Sequence, residues 1–329
     1  MRLRYSHRVL LPGAVAVMAA LVAGTGNAAG PSFPDKPIRL VVPVPAGAGA
    51  DFVARAYAQR LGAAFGQQVV VDNRGGAAGI IAMETVAKAP PDGYTLIQAT
   101  IATMTIMPFM YSKLPYDALR DFEPVSITTL NPLLLVVHPS LPVHSVKELI
   151  AYGKANPERI SYASVGSGSV QHLAGFVFAK GAGIAAVHVP YKGAAPATVD
   201  LLAGQVNTAF SGIGTVAGHV KAGKLRILAI TGKRLAAFAD VPTIQEAGGP
   251  DVQMGLWNGI LVPARTPVAI VRRLNAEFVK AANSPELNAA MATQSTSPTS
   301  SSPEGFALLI RQDQARFARI VKDSGARAD

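Results

Sequence analysis

The chain of 329 residues contains no cysteine. That excludes disulfides, thiolate metal sites and a cysteine nucleophile. Tryptophan occurs once, and charged residues make up only 15% of the chain. The six histidines (His7, His138, His144, His172, His188, His219) include no pair at H-E-x-x-H spacing. A helix-borne zinc site is therefore not expected, and no metal or cofactor is called for. Beyond residue 29 no window of about eighteen unbroken apolar residues occurs, so no later membrane span is expected. With 50% hydrophobic residues the chain is not disordered. Without disulfides, it must be stable through its core alone. The formal charge is +10. The lysines and arginines are scattered singly, which argues against a nucleic-acid partner. A mildly basic surface would still attract small anions.

The first 29 residues read as a secretory signal. Arg2, Arg4 and Arg8 precede an apolar stretch over 9–24, and small residues follow at Gly26-Asn27-Ala28-Ala29. Cleavage is expected near Ala28 or Ala29, leaving a periplasmic protein.

Strand and helix patterns then alternate. Strands are expected at 38–44, 69–71 and 94–98, with helices at 51–64 and 80–89. This βαβαβ order implies a parallel sheet covered by helices. A second unit follows, with strands at 133–137, 160–163, 186–189, 206–210 and 225–230. Its helices are expected at 145–155, 170–180 and 196–202. Ser145 with Glu148 forms a capping-box signature. The tail is read as helical over 267–282, 285–292 and 303–322, packing back on the first unit. Residues 295–302, rich in Ser, Thr and Pro, read as a surface loop.

Three glycine-rich loops join a strand to a helix: residues 43–51, 164–169 and 191–196. Free N–H groups and the helix dipole make such places anion sites, and in open α/β sheets ligands sit at the carboxyl ends of strands. Ser167 and Ser169 can add hydroxyl donors. Thr100 and Thr103 would form a further wall. Two enzymatic readings compete. Gly47-x-Gly49 after a strand, with Asp72 ending the next, mimics a dinucleotide-binding enzyme. Phe52 occupies the third glycine position, however, and Asp51 would face the pyrophosphate. Gly166-Ser167-Gly168 with His172 suggests an exported serine esterase or hydrolase, but the G-x-S-x-G elbow is absent.

Several stretches together carry a family resemblance: PIRLVVP at 37–43, VVVDNR at 69–74, APPDGYTL at 89–96, LPYD at 114–117, DFEPV at 121–125, GSGSVQHLAG at 166–175, HVPYKG at 188–193, DLLAGQ at 200–205, AGKLR at 222–226 and DVPT at 240–243. In this order and spacing the chain resembles the Bug-type extracytoplasmic solute receptors, the TctC-like binding component of tripartite tricarboxylate transporters. The resemblance implies a type II periplasmic-binding-protein fold: two α/β domains, a two-crossing hinge and a ligand cleft between them. Residues 30–130 plus 253–329 would form domain one, and 131–252 domain two. It implies a monomeric receptor, not an enzyme, that hands a small organic carboxylate to membrane permease subunits. By position Ala48, Asp51, Thr100, Thr103, Ser167, Gly168, Ser169 and Gly193 would inherit ligand contacts. Gly47, Ser164 and Gly166 of the same loops, and Ser211, complete the expected site.

The sequence departs from the family pattern at Ala46 and Ala48 of the first loop, at Ser211 where Asp is frequent, and at Met104 where His is frequent. These changes favour an apolar ligand segment beside a carboxylate, with Met104 as an apolar wall. Trp257 is expected either in the cleft or buried near the hinge.

Overall fold

The computed structural model describes residues 1–3, 5, 33–235 and 238–328. The expected leader lies outside these residues apart from 1–3 and 5. Among the described residues no helix is long and apolar enough to cross a membrane.

The first unit forms as β1 (Ile38–Val42), α1 (Gly49–Phe65), β2 (Val69–Asn73), α2 (Ile80–Ala87) and β3 (Thr95–Thr100). In β1, Leu40 and Val42 enter one core cluster while Val41 enters another. A strand apolar on both faces is what a sheet with helices on each side requires. A π-turn over residues 102–106 then leads into the short α3 (Met107–Met110). Next comes a strand of 16 residues, β4 (Phe122–Val137).

The second unit follows as α4 (Val146–Ala155), β5 (Ile160–Ser164), α5 (Val170–Ala182), β6 (Ala186–Pro190), α6 (Ala194–Leu202), β7 (Thr208–Gly212), α7 (Ile213–Lys221) and β8 (Arg226–Ile230). The Ser145 hydroxyl caps α4 by accepting from the Glu148 amide at 3.2 Å. The Glu148 carboxylate, however, takes the His144 amide at 2.7 Å instead of completing the box on Ser145. The chain returns through β9 (Gly255–Pro263), α8 (Val268–Ala282), α9 (Pro285–Ala292) and α10 (Pro303–Ser324).

The sheet is mixed, where the sequence predicts a parallel one. In domain one the order is β2-β1-β3-β9-β4, with β9 antiparallel to both neighbours. In domain two it is β6-β5-β7-β4-β8, with β4 antiparallel to both neighbours. The two orders are the same pattern used twice. β4 is the outer strand of the first and the inserted antiparallel strand of the second. Two alternating α/β sheets sharing the crossing strand β4 are the expected type II architecture.

Strand β9, helix α7 and the turn α3 do not emerge from the sequence. Asn258-Gly259 inside β9 reads as a turn signal. In the structure Gly259 is a point of close approach: a methyl group built there would lie 2.1 Å from Cζ of the Phe306 ring. Residues 295–302 form no helix or strand, as the loop reading expects. They strap across β4, with the Thr299 amide on the Thr128 carbonyl at 3.0 Å and Ser301 hydrogen-bonded to Ser126. Helices α8 and α9 pack on α1, as expected for the tail, while α10 packs on β4 and also reaches α5.

The hinge is knotted at Thr231, which is fully buried. Its hydroxyl accepts from the Leu133 amide at 2.8 Å and donates to the Met254 carbonyl. Its own amide donates to the Leu133 carbonyl at 2.9 Å. Trp257 lies beside this knot, buried, with its indole N–H on Asp313 at 2.8 Å and its ring edge-on to Phe306. Burial pushes the Asp313 carboxyl up, while Arg316 and the indole donor oppose that.

In domain two the rings of Tyr162, His172 and His188 stack beneath the end of β5, the two imidazoles 3.8 Å apart. Burial lowers the pKa of His172. Burial, and then the neighbouring imidazole, push His188 down to about 4.

Two predictions follow from this packing. Trp257→Phe leaves Asp313 buried with one donor fewer, so unfolding free energy should fall by about 1–3 kcal/mol. An unchanged urea midpoint would contradict that role for the indole. The histidine pair binds protons more weakly folded than unfolded, so its contribution is complete above the ordinary histidine range and is lost as pH falls from about 6.5 towards 4. The melting temperature should drop across that window. The drop should be shallower in His188→Gln, whose side-chain amide can still meet Ser164.

Candidate functional site

Strands β3 and β4 both run antiparallel to β9, so β4 leaves domain one at the edge where β1, β2 and β3 end. It enters domain two antiparallel to β7 and β8, at the edge where these strands, and with them β5 and β6, end. Both sets of carboxyl-terminal loops therefore flank the same crossing. Residues 43–48 and 165–169 hold equivalent places, each following the first strand of its sheet and opening a helix. The two sides meet directly. A methyl group built on Gly168 would lie 2.3 Å from Met110 Cε of domain one.

In the first loop Gly47 has φ 85, and its amide donates to Asp51 at 2.8 Å. Asp51 is buried in the first turn of α1 and also accepts from Arg55 at 3.0 Å and Asn73 at 2.9 Å. Burial alone would raise its carboxyl. The bonds from Arg55, Gly47 and Asn73 outweigh that and hold it below the usual carboxylate range. Both oxygens are thus engaged in shaping the loop. The Ala48 amide turns back to the Pro45 carbonyl at 3.3 Å. The amides of Gly49 and Ala50 lie in the opening turn of α1, which offers them no carbonyl.

Thr100 and Thr103 bond to each other. The Thr100 amide donates to the Thr103 hydroxyl at 3.1 Å, and that hydroxyl donates to the Thr100 carbonyl at 3.0 Å. Met104 is fully buried in the core, so it is not the apolar wall that the sequence suggests. The π-turn rotates its side chain inward, and Met110 supplies the apolar group facing domain two. Residues 75–79 complete this side, packed on Pro43, Pro45 and Thr103. Ala77 and Ala78 are both left-handed there, with φ 44 and 52. This GGAAG segment was visible in the sequence but went unassigned.

In domain two, Ser164 is buried, with its hydroxyl 2.7 Å from His188 Nε2 and 3.0 Å from the Gly166 carbonyl. It also accepts from the Gly166 amide at 3.2 Å. The Gly168 amide donates to His172 Nδ1 at 3.0 Å. Ser169 caps α5, accepting from the His172 amide and donating to the Gly166 carbonyl at 2.6 Å. Ser167 differs: it is exposed, and its hydroxyl has no partner among the described residues. Gly193, with φ 111, opens α6, and β7 carries Ser211 to the start of α7. Ser164 and Ser211 line one recess with Gln171, Ala194, Thr198 and Thr215. A wider groove between α1 and β2, lined by Ala58, Gly62 and Val70, holds none of the expected site residues.

The enzymatic readings fare poorly on this geometry. Asp72, the acid of the dinucleotide pattern, is paired with Arg39 and Arg74. Asp51 itself takes the Gly47 amide that a pyrophosphate would need. His172 turns its Nδ1 to a backbone amide, away from a base role toward Ser167. Among the described residues no group of three His, Cys, Asp or Glu side chains could hold a metal ion.

Residues 53–326 match the family model described as the tripartite tricarboxylate transporter family receptor. Protein BugT of Bordetella pertussis is 36% identical over 318 residues, 95% of this chain and 98% of BugT. The structure of R. palustris Rpa4515 with adipate superposes with a TM-score of 0.79 at 34% identity, covering 90% of this chain and 99% of that one. MatC from Rhodopseudomonas palustris, with bound malate, gives 0.73 at 29% identity, covering 88% and 100%. The chain belongs to the TctC family of tripartite tricarboxylate transporter receptors.

Proposed function

We propose that this receptor captures a small organic carboxylate between its two domains in the periplasm and delivers it, as a monomer, to the permease subunits of a tripartite tricarboxylate transporter. Domain one would comprise residues 30–130 plus 253–329, domain two 131–252, and residues 1–29 a cleaved leader. The observation that carries the reading is the set of helix N-termini at the facing loop edges. The opening turns of α5, α6 and α7 contain no acidic residue, whereas α1 carries Asp51. A carboxylate is stabilised by an uncompensated helix N-terminus and repelled by one that already holds an anion. The ligand carboxylate therefore belongs on domain two, near Ser167, Gly193 and Ser211. The remainder of the ligand faces Ala48, Thr100 and Met110 on domain one. Adipate in Rpa4515 and malate in MatC support carboxylate chemistry. Ala48 and Met110 favour an apolar segment between or beside carboxylates.

Among the described residues, the pair Ser164–His188 is a further feature that would favour a hydrolase. Its serine is buried and is held by both polar groups of Gly166. No substrate carbonyl can reach that oxygen without dismantling the loop. Turnover of a chromogenic ester would reverse this conclusion.

Thermal stabilisation against mono-, di- and tricarboxylates, amino acids and nucleotides tests the reading, since a ligand of the native state raises stability once it exceeds its Kd. A shift with a carboxylate class is expected; a shift with NAD alone would favour the dinucleotide enzyme. Ser167→Ala should weaken carboxylate binding several-fold and leave the melting temperature of the free protein unchanged. Ser169→Ala removes the cap of α5 and should cost about 0.5–2 kcal/mol of stability. Wild-type affinity in Ser167→Ala would remove that hydroxyl from the site.

A further inference from the structure

Gly168 is held from two sides. Within domain two its buried amide donates to His172 Nδ1 at 3.0 Å. With Nδ1 accepting, the proton of the neutral imidazole lies on Nε2. The His172 ring cannot swing freely, because it is sandwiched on His188 at 3.8 Å and its own amide is fixed on Ser169. From domain one the Met110 thioether covers the Gly168 α-carbon. A methyl group there would meet Cε at 2.3 Å and Sδ at 2.7 Å. Met110 is buried although it sits on a helix of only four residues. Its backbone is anchored separately, where the Met110 carbonyl accepts from the Ala328 amide at 3.1 Å. The φ of 75 at Gly168 disfavours any side chain. The loop 164–169 therefore has one point, Gly168, where an internal bond and a contact from the other domain converge.

We propose that His172 and Met110 are positioning residues for the ligand loop. His172 fixes the direction of the Gly168 amide, and Met110 reports the approach of domain one to the same residue. Domain closure and loop shape are thereby coupled at a single glycine. This rests on the reading of residues 164–169 as half of the ligand site. Neither residue needs to touch the ligand. The imidazole satisfies a buried donor that would otherwise be left unpaired, and the thioether gives the closing domain a soft surface that adapts to the loop.

The test uses the ligand-free protein first. Amide hydrogen exchange over residues 166–169 should speed up by roughly tenfold or more in His172→Phe, which keeps a ring in the stack and removes the acceptor. His172→Asn places Oδ1 where Nδ1 stood and should retain near wild-type protection. Gly168→Ala should weaken adipate or malate binding, whichever stabilises the wild type, by about tenfold, through strain and the clash with Met110. Adding Met110→Ala to Gly168→Ala should return part of that loss. Wild-type exchange in His172→Phe overturns the role of His172 whatever the protein binds. No recovery in the double variant overturns the role of Met110. Faster exchange in His172→Phe with unchanged carboxylate affinity keeps the clamp and removes the loop from the ligand site instead.

Discussion

Strand β4 has to satisfy two sheets at once. From Phe122 to Pro132 it pairs with β9, and from Leu133 it lies between β7 and β8. The change of partners falls at Pro132, a residue with no N–H to donate to a ladder. A proline inside a central strand would normally break it. Here it stands where one ladder ends and the next begins, so no bond is lost. This arrangement fixes the rest. The strand must leave one sheet and enter the other at their loop-bearing edges, which brings both sets of carboxyl-terminal loops to the crossing. Residues 43–48 and 165–169 face a common cleft because of β4, not because of any attraction between them.

The loops spend most of their polar side chains on themselves. Asp51, Thr103, Ser164 and Ser169 each bond to backbone of their own or an adjoining turn. Left over are amides in the first turns of helices and the Ser167 hydroxyl. If they meet the ligand as proposed, such donors are fixed before it arrives, so little ordering entropy is lost on binding. They are also selective. A ligand that leaves a desolvated amide unpaired loses about 1–3 kcal/mol for each. Asp51 has a double effect here. It organises the first loop, and its charge, only partly balanced by Arg55, makes α1 a poorer anion site than α5 or α6. The two loops look alike in sequence and differ in what they can hold.

That difference shows how far the sequence could be read. The glycine loops, the βαβ order and the three helices of the tail were legible, because each depends on local turn chemistry or periodicity. What escaped depends on tertiary contact. β9 contains Asn258-Gly259, a turn signal locally, but the glycine is there to admit the Phe306 ring. Residues 295–302 have loop composition and still pair with β4, because their backbone groups find partners there that composition does not encode. Met104 and Met110 are indistinguishable as residue types. Only the π-turn over 102–106 decides that the first turns into the core and the second towards domain two. His172, at the head of the helix after the loop, is placed by sequence to fix that loop, and the structure shows the bond that does it, from the Gly168 amide.

The hinge can bend only where bonds allow it. The Thr231 knot ties β4, the end of β8 and the residue before β9, all at one buried point, and losing any of its bonds would strand a buried donor or acceptor. The Trp257–Asp313 bond joins β9 to α10. Two of the contacts that span both domains away from the knot are of another kind. Lys180 and Asp323 join α5 to α10 through exposed side chains at 2.9 Å. Such a surface pair contributes about 0–1 kcal/mol. Met110 on Gly168 is a van der Waals contact of a soft side chain. Buried bonds therefore define a fulcrum, while the apolar packing of α5 on α10, a surface ion pair and the Met110 contact lie across the moving surfaces. A ligand that bridges the two loops needs only to outweigh the latter to set the angle between the domains.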